Sequence, residues 1–212
     1  MGNTILRKRE KIIEGFKKFL PAGFEEIVVD LFLSSPVKFK IVPPRKTKLG
    51  DFRIGSGMEK PQITVNGDLN PYSFLITTLH EFAHLHTFQQ HGNRVNPHGE
   101  EWKANFRKLL LPIINSNKLP KNIEHALVDS LVSLKASSCT DLKLSRILKS
   151  YDDLKDGVEI LERLPKNTIF ALNGREFIKG ELRRKRFLCE ETISKRMYLV
   201  NALAEVYPIK KH

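Results

Sequence analysis

Apolar positions in the first third of the chain recur at helical spacing. Leu6, Ile12, Ile13, Phe16, Phe19 and Leu20 predict one helix that stops at Pro21, and Phe24, Ile27, Val28, Leu31 and Phe32 predict a second that stops at Ser34-Ser35-Pro36. The period then changes to two. Val37-Lys38-Phe39-Lys40-Ile41-Val42 alternates apolar with mostly basic residues, as a strand with one solvated face does, and Pro43-Pro44 ends it. Phe52-Arg53-Ile54 and Ile63-Thr64-Val65-Asn66 predict two more short strands. Asn70 and Pro71 then open the clearest helix of the chain, because Asn caps well and Pro at the first helical position gives up an N–H that had no partner. That helix should run to Gly92. Further helices are expected over about 99–114, 122–136 and 141–149.

Beyond Asp152-Asp153 the pattern is different. Thr168–Leu172, the Asn173-Gly174 turn and Arg175–Lys179 read as a hairpin, since both turn residues must accept positive φ, and 185–190 and 197–200 predict further strands. The expected fold class is α+β. Helices plus a small sheet occupy residues 1–150, and a small β module, barrel-like or a curled sheet, occupies 151–212.

Composition narrows the functional classes. Hydrophobic residues make up 41% and charged residues 28% of 212, enough for a real core, so disorder and a disulfide miniprotein are excluded. Cys139 and Cys189 are isolated, which rules out a zinc ribbon and suits a reducing, cytoplasmic setting. No apolar run approaches the ~20 residues of a membrane helix, and residues 1–9 have no apolar segment behind their basic ones. The net charge of +12 favours a polyanionic partner such as nucleic acid. Its densest cluster is Arg183-Arg184-Lys185-Arg186, with Phe187 beside it, a candidate grip for a phosphate backbone or single strand. Solvated basic edge residues that discourage sheet aggregation would look the same.

The chemistry lies in His80-Glu81-Phe82-Ala83-His84. Residues four apart on a helix share a face, so the two imidazoles can bind one metal ion while Glu81 reaches a water beside it. A catalytic zinc takes three protein ligands and one water. Thr87 and Gln90 stand where the longer HExxHxxGxxH pattern needs Gly and His, so the third ligand must come from elsewhere. His98, Glu100 and Glu101, at the entry to the next helix, are the candidates. Glu100 and Glu101 would also serve simply as acids in a first helical turn.

The HExxH, followed after a loop by Pro97-His98-Gly99-Glu100-Glu101-Trp102-Lys103, resembles the SprT-like metalloproteases over roughly residues 35–115. The strand Ile63–Asn66 leading through Leu69 into the metal helix fits the same pattern. The resemblance implies a zincin-like peptidase with zinc (Zn2+) held by His80, His84 and His98 and with Glu81 as general base. It also implies a protein or peptide substrate and kinship with enzymes that digest proteins cross-linked to DNA. Two features depart from the family pattern: Lys48-Leu49-Gly50 replaces a frequent Arg-Trp-Gly, and the terminal four-cysteine ribbon of many members is missing, as in a shorter bacterial subgroup. An extended substrate would be expected to pair with the strand Ile63–Asn66. The competing expectation is a non-catalytic DNA- or protein-binding module with a structural zinc, its fourth ligand a residue such as Glu101.

Overall fold

The computed structural model describes residues 2–55, 57–133 and 142–209. The chain divides into two units, Met1–Tyr151 and Asp152–His212.

The first unit carries α1 (Gly2–Phe16), α2 (Glu25–Ser34), β1 (Lys38–Val42), β2 (Gly50–Arg53), β3 (Gln62–Asn66), α3 (Pro71–His91), α4 (Glu100–Ile114), α5 (Lys121–Ser133) and α6 (Leu142–Lys149). Helix α1 ends four residues earlier than its periodicity predicts. Phe19 and Leu20 follow it in a turn, whose Leu20 N–H still reaches the Phe16 carbonyl. The predicted end of α5 at Ala136, Asp141 and Cys139 lie outside the described residues.

The sheet order is β1-β3-β2, with β1 parallel and β2 antiparallel to β3. Being central, β3 is buried along Ile63, Thr64, Val65 and Asn66, two of them polar. Burial of such groups is tolerated only when they are hydrogen-bonded, and Arg45 supplies the partners. Its Nε donates to Asn66 Oδ1 (2.8 Å) and its Nη1 to Thr64 Oγ1 (3.0 Å), while Asn66 Nδ2 donates to the carbonyls of Arg45 (3.2 Å) and Lys48 (3.0 Å). The loop entering β2 is thereby fastened to the middle of the sheet.

Asn70 caps α3 by accepting the Ser73 N–H (3.0 Å), and its amide donates to the Leu148 carbonyl at the end of α6 (2.9 Å). Helix α3 is buried on most sides, through Phe74, Leu75, Ile76, Leu79, Phe82, Ala83 and Leu85, and packs against β2, β3, α4 and α6. A helix apolar nearly all round belongs in the centre of a unit.

The second unit holds β4 (Glu159–Ile160), a 3-10 turn at Leu161–Arg163, β5 (Ile169–Leu172), β6 (Arg175–Ile178), β7 (Leu182–Arg183), β8 (Arg186–Glu191), β9 (Met197–Asn201) and β10 (Glu205–Pro208). They form one antiparallel sheet in the order β4-β10-β5-β6-β8-β7, with β9 also on β8. The Asn173-Gly174 hairpin has the expected positive φ values, 52° and 75°. Leu161, Phe170, Phe177, Cys189, Val200 and Val206 make its core. The basic cluster differs from the single strand expected over 185–190: Arg183 ends β7, Arg184 and Lys185 form the turn, and Arg186 starts β8 directly opposite Arg183. Among the described residues no helix is long and apolar enough to cross a membrane.

Candidate metal centre

Two turns of α3 and one loop residue build the site. His80 and His84 are one turn apart on α3, and His98 sits just before α4, with Gly99 as that helix's N-cap. The three Nε2 atoms lie 3.2 Å (His80–His84), 3.1 Å (His80–His98) and 3.0 Å (His84–His98) apart. Tetrahedral zinc with bonds of 2.0–2.1 Å separates its ligand atoms by about 3.3 Å, so the spacing fits one shared cation. Burial, followed by the charges of its two neighbours, lowers His80 to about 3. Burial and the His98 charge lower His84 to about 4, and burial lowers His98 as well. The rings are therefore neutral at neutral pH, the state in which imidazole ligates metal. Three uncharged imidazole rings with nitrogens this close together are an arrangement that a shared cation suits.

His98 adopts φ 59°, a conformation rare for a residue with a Cβ. It is held there by a turn in which the Gly99 N–H donates to the Asn96 carbonyl (2.9 Å), and a Cβ on Gly99 would stand 2.9 Å from that same oxygen. Strain of this kind persists where the surroundings impose it. Trp102 is fully buried and packs on all three imidazoles, with ring centroids 4.7 Å from His80, 5.3 Å from His84 and 4.7 Å from His98. Asn105 ties α4 back to α3, donating to Thr87 Oγ1 and Gln90 Oε1, each at 3.0 Å.

Glu81 is 7% exposed. Burial raises its carboxyl to about 7, the Asp51 charge adds to the effect, and Arg45, a hydrogen bond from the Phe52 backbone and Lys48 oppose it. His80, Glu81, His84 and His98 all line a cleft of about 480 Å³, walled by β2 (Gly50, Asp51, Phe52) on one side and by the 92–97 loop on the other.

The two rival acids lie outside this cluster. Glu100 is exposed and paired with Lys103 (2.8 Å), and neither it nor Glu101 belongs to the metal-competent group found among the described residues. The expectation that Ile63–Asn66 receives substrate is overturned: β3 has β1 on one side and β2 on the other, so its backbone is already paired. The edge strand at the cleft is β2, which among the described residues pairs with β3 alone. The sequence reading also missed the Arg45 clamp, whose one visible trace was the pair of polar residues, Thr64 and Asn66, in an otherwise apolar run. The basic residues Arg183, Arg184, Lys185 and Arg186 are exposed on the second unit.

No curated protein and no solved structure matches the chain. The family model described as the SprT-like family, a family associated with metalloprotease-type proteins, matches residues 24–125, a span that contains all three histidines, Glu81, Trp102 and the strands beside them. Residues 24–125 are a SprT-like domain.

Proposed function

We propose that the chain is a zincin-like metallopeptidase that cleaves peptide bonds in the cleft between β2 and the 92–97 loop. The observation that carries this reading is the meeting of three neutral imidazoles, with Nε2 atoms 3.0–3.2 Å apart, beside a buried carboxylate at an open cleft. His80, His84 and His98 would hold the ion. Zinc bound by three imidazoles, with a position left open, supplies Lewis acidity and makes water acidic near neutral pH. Glu81 accepts the proton of the attacking water and returns it to the amine nitrogen as the C–N bond breaks. The outer backbone edge of β2, apart from the Phe52 N–H that Glu81 takes, would receive the substrate as an added strand. Main-chain pairing gives loose sequence preference, because side chains need only fit pockets. A structural zinc with four protein ligands is disfavoured, since no acid or thiol joins the three rings among the described residues.

We propose further that the protein acts in the cytoplasm on proteins associated with DNA. The net charge of +12 supports this, as does the β7–β8 hairpin, where Arg183, Arg184, Lys185 and Arg186 crowd one tip and Arg183 directly faces Arg186. Like charges opposite one another destabilise a ladder, a cost that a phosphate backbone would reverse.

The test is Glu81→Gln, assayed on casein and on a DNA-bound protein with and without single-stranded DNA. The variant should keep one zinc per chain and lose turnover by about 10²–10⁴-fold. Wild-type proteolysis in that variant would refute the role of Glu81. A rate indifferent to DNA would refute the DNA association and leave the peptidase standing.

A further inference from the structure

We propose that Gly50 is a positioning residue for the Glu81 carboxylate: the outer edge of β2 seats the base, and only a residue without a side chain at its first position leaves room for it. The proposal rests on the metallopeptidase reading for the role of Glu81, but its geometry does not.

The pairing of β2 with β3 decides which backbone groups face outward. The Asn66 N–H donates to the Leu49 carbonyl (2.9 Å), and the register runs Gly50↔Val65, Asp51↔Thr64, Phe52↔Ile63. Antiparallel ladders alternate between hydrogen-bonded and non-bonded pairs. Leu49, Asp51 and Arg53 therefore spend their backbone groups on β3, while those of Gly50 and Phe52 point away from it. The hydrogen bond from the Phe52 backbone to Glu81 agrees with that direction. The strand thus holds the carboxylate through one of its two outward residues and makes space for it at the other.

The space is measurable. A Cβ at Gly50 would stand 2.5 Å from Glu81 Oε1, 2.8 Å from Glu81 Cγ and 2.7 Å from Thr77 Cγ2. Gly50 is not in the left-handed region, in contrast to Gly23, Gly57, Gly92, Gly157 and Gly174. Glycine is needed here for close approach rather than for backbone freedom. The strand cannot simply retreat, because the Arg45 clamp on Thr64 and Asn66 and the Asn66 bond to the Lys48 carbonyl fix its entry. A methyl group at position 50 must therefore displace both the Thr77 methyl and the Glu81 side chain, the latter by roughly 1 Å, and misplacement of the base on that scale costs about 10²-fold in rate. The same arrangement registers base to substrate: a peptide laid along β2 meets Glu81 at Gly50 and Phe52.

The experiment compares the full-length wild type, Gly50→Ala, Glu81→Ala and the double variant by kcat, KM, zinc content and melting temperature. Gly50→Ala should lower kcat by about 100-fold with KM within about threefold and zinc content unchanged. The melting temperature lost on adding the methyl should be smaller in the Glu81→Ala background, where the vacated space accepts it. A purely structural role would give the same loss in both backgrounds, and that result, or wild-type kcat in Gly50→Ala, overturns the proposal. If Gly50→Ala alone does not fold, folding of the double variant supports the proposal, and failure of both overturns it. An inactive wild type refutes the peptidase reading and leaves the melting comparison as the judge of this one.

Discussion

Both units bury ionisable side chains, but the second unit and the metal centre of the first treat them in opposite ways. In the second unit Lys179 is 3% exposed, and its ammonium is spoken for. It donates to the carbonyls of Glu162 and Leu164 and lies 4.0 Å over the Phe187 ring. Glu191 is likewise engaged by Arg175 and Ser194. In the first unit Lys103 is paired with Glu100 in the same way, but at the metal centre buried Glu81 and three half-buried imidazoles leave bonding capacity directed at one another and at a cleft. Burial with full partnering holds a fold together, whereas burial with capacity left over, at an opening, is how a protein keeps groups ready for a ligand.

The strongest way to break that contrast is at Trp102, which packs on all three rings. Trp102→Ala removes a fully buried indole and should cost about 3–5 kcal/mol in denaturant unfolding, and it should weaken zinc affinity at the same time because the imidazoles lose their common wall. Stability lost with zinc affinity unchanged would separate the core from the site.

Lys179→Met sharpens the comparison from the other side. It strands two carbonyls and should cost about 1–3 kcal/mol, with zinc content and peptidase rate at wild-type values. A change in either would mean that the second unit's buried charge serves the site.

The smallest expected effect is a pH dependence. The hydrogen bond from Arg175, followed by that from Ser194, depresses Glu191 to about 2. A group depressed on folding contributes stability above its unfolded value of about 4.3, and that contribution fades as pH falls toward the folded value. The melting-temperature gap between wild type and Glu191→Gln should be constant from pH 7 to about 5 and close on the way to pH 2. A gap that is unchanged at pH 2.5 would contradict this account of the Arg175 pair.

What the chain made legible were patterns closed within one element or one turn. The four-residue spacing of His80 and His84, the Asn70-Pro71 start of α3 and the Asn173-Gly174 hairpin each declare themselves locally. His98 needed the joint pattern with His80 and His84, because the left-handed backbone that turns it toward α3 follows from the Asn96–Gly99 turn. The strands β4, β7 and β10, two to four residues each, carry too few alternations to register and exist because distant partners pair with them. Strand order misled for the same reason: an apolar β3 announces burial, but its place between β1 and β2 is decided by register with residues far along the chain. Arg45 was invisible as a site residue, and Gly50 stood out only as the glycine kept from the family's Arg-Trp-Gly segment, since their parts are played through Asn66 and Glu81 and no local spacing links them.

The most direct measurement is X-ray absorption at the zinc edge of the metal-loaded full-length protein, beside His98→Ala. One zinc per chain with three imidazole nitrogens at about 2.0–2.1 Å and one exchangeable oxygen, losing a nitrogen or the metal itself in His98→Ala, is the predicted result. A coordination shell completed by four protein groups, or one indifferent to His98, would contradict the account.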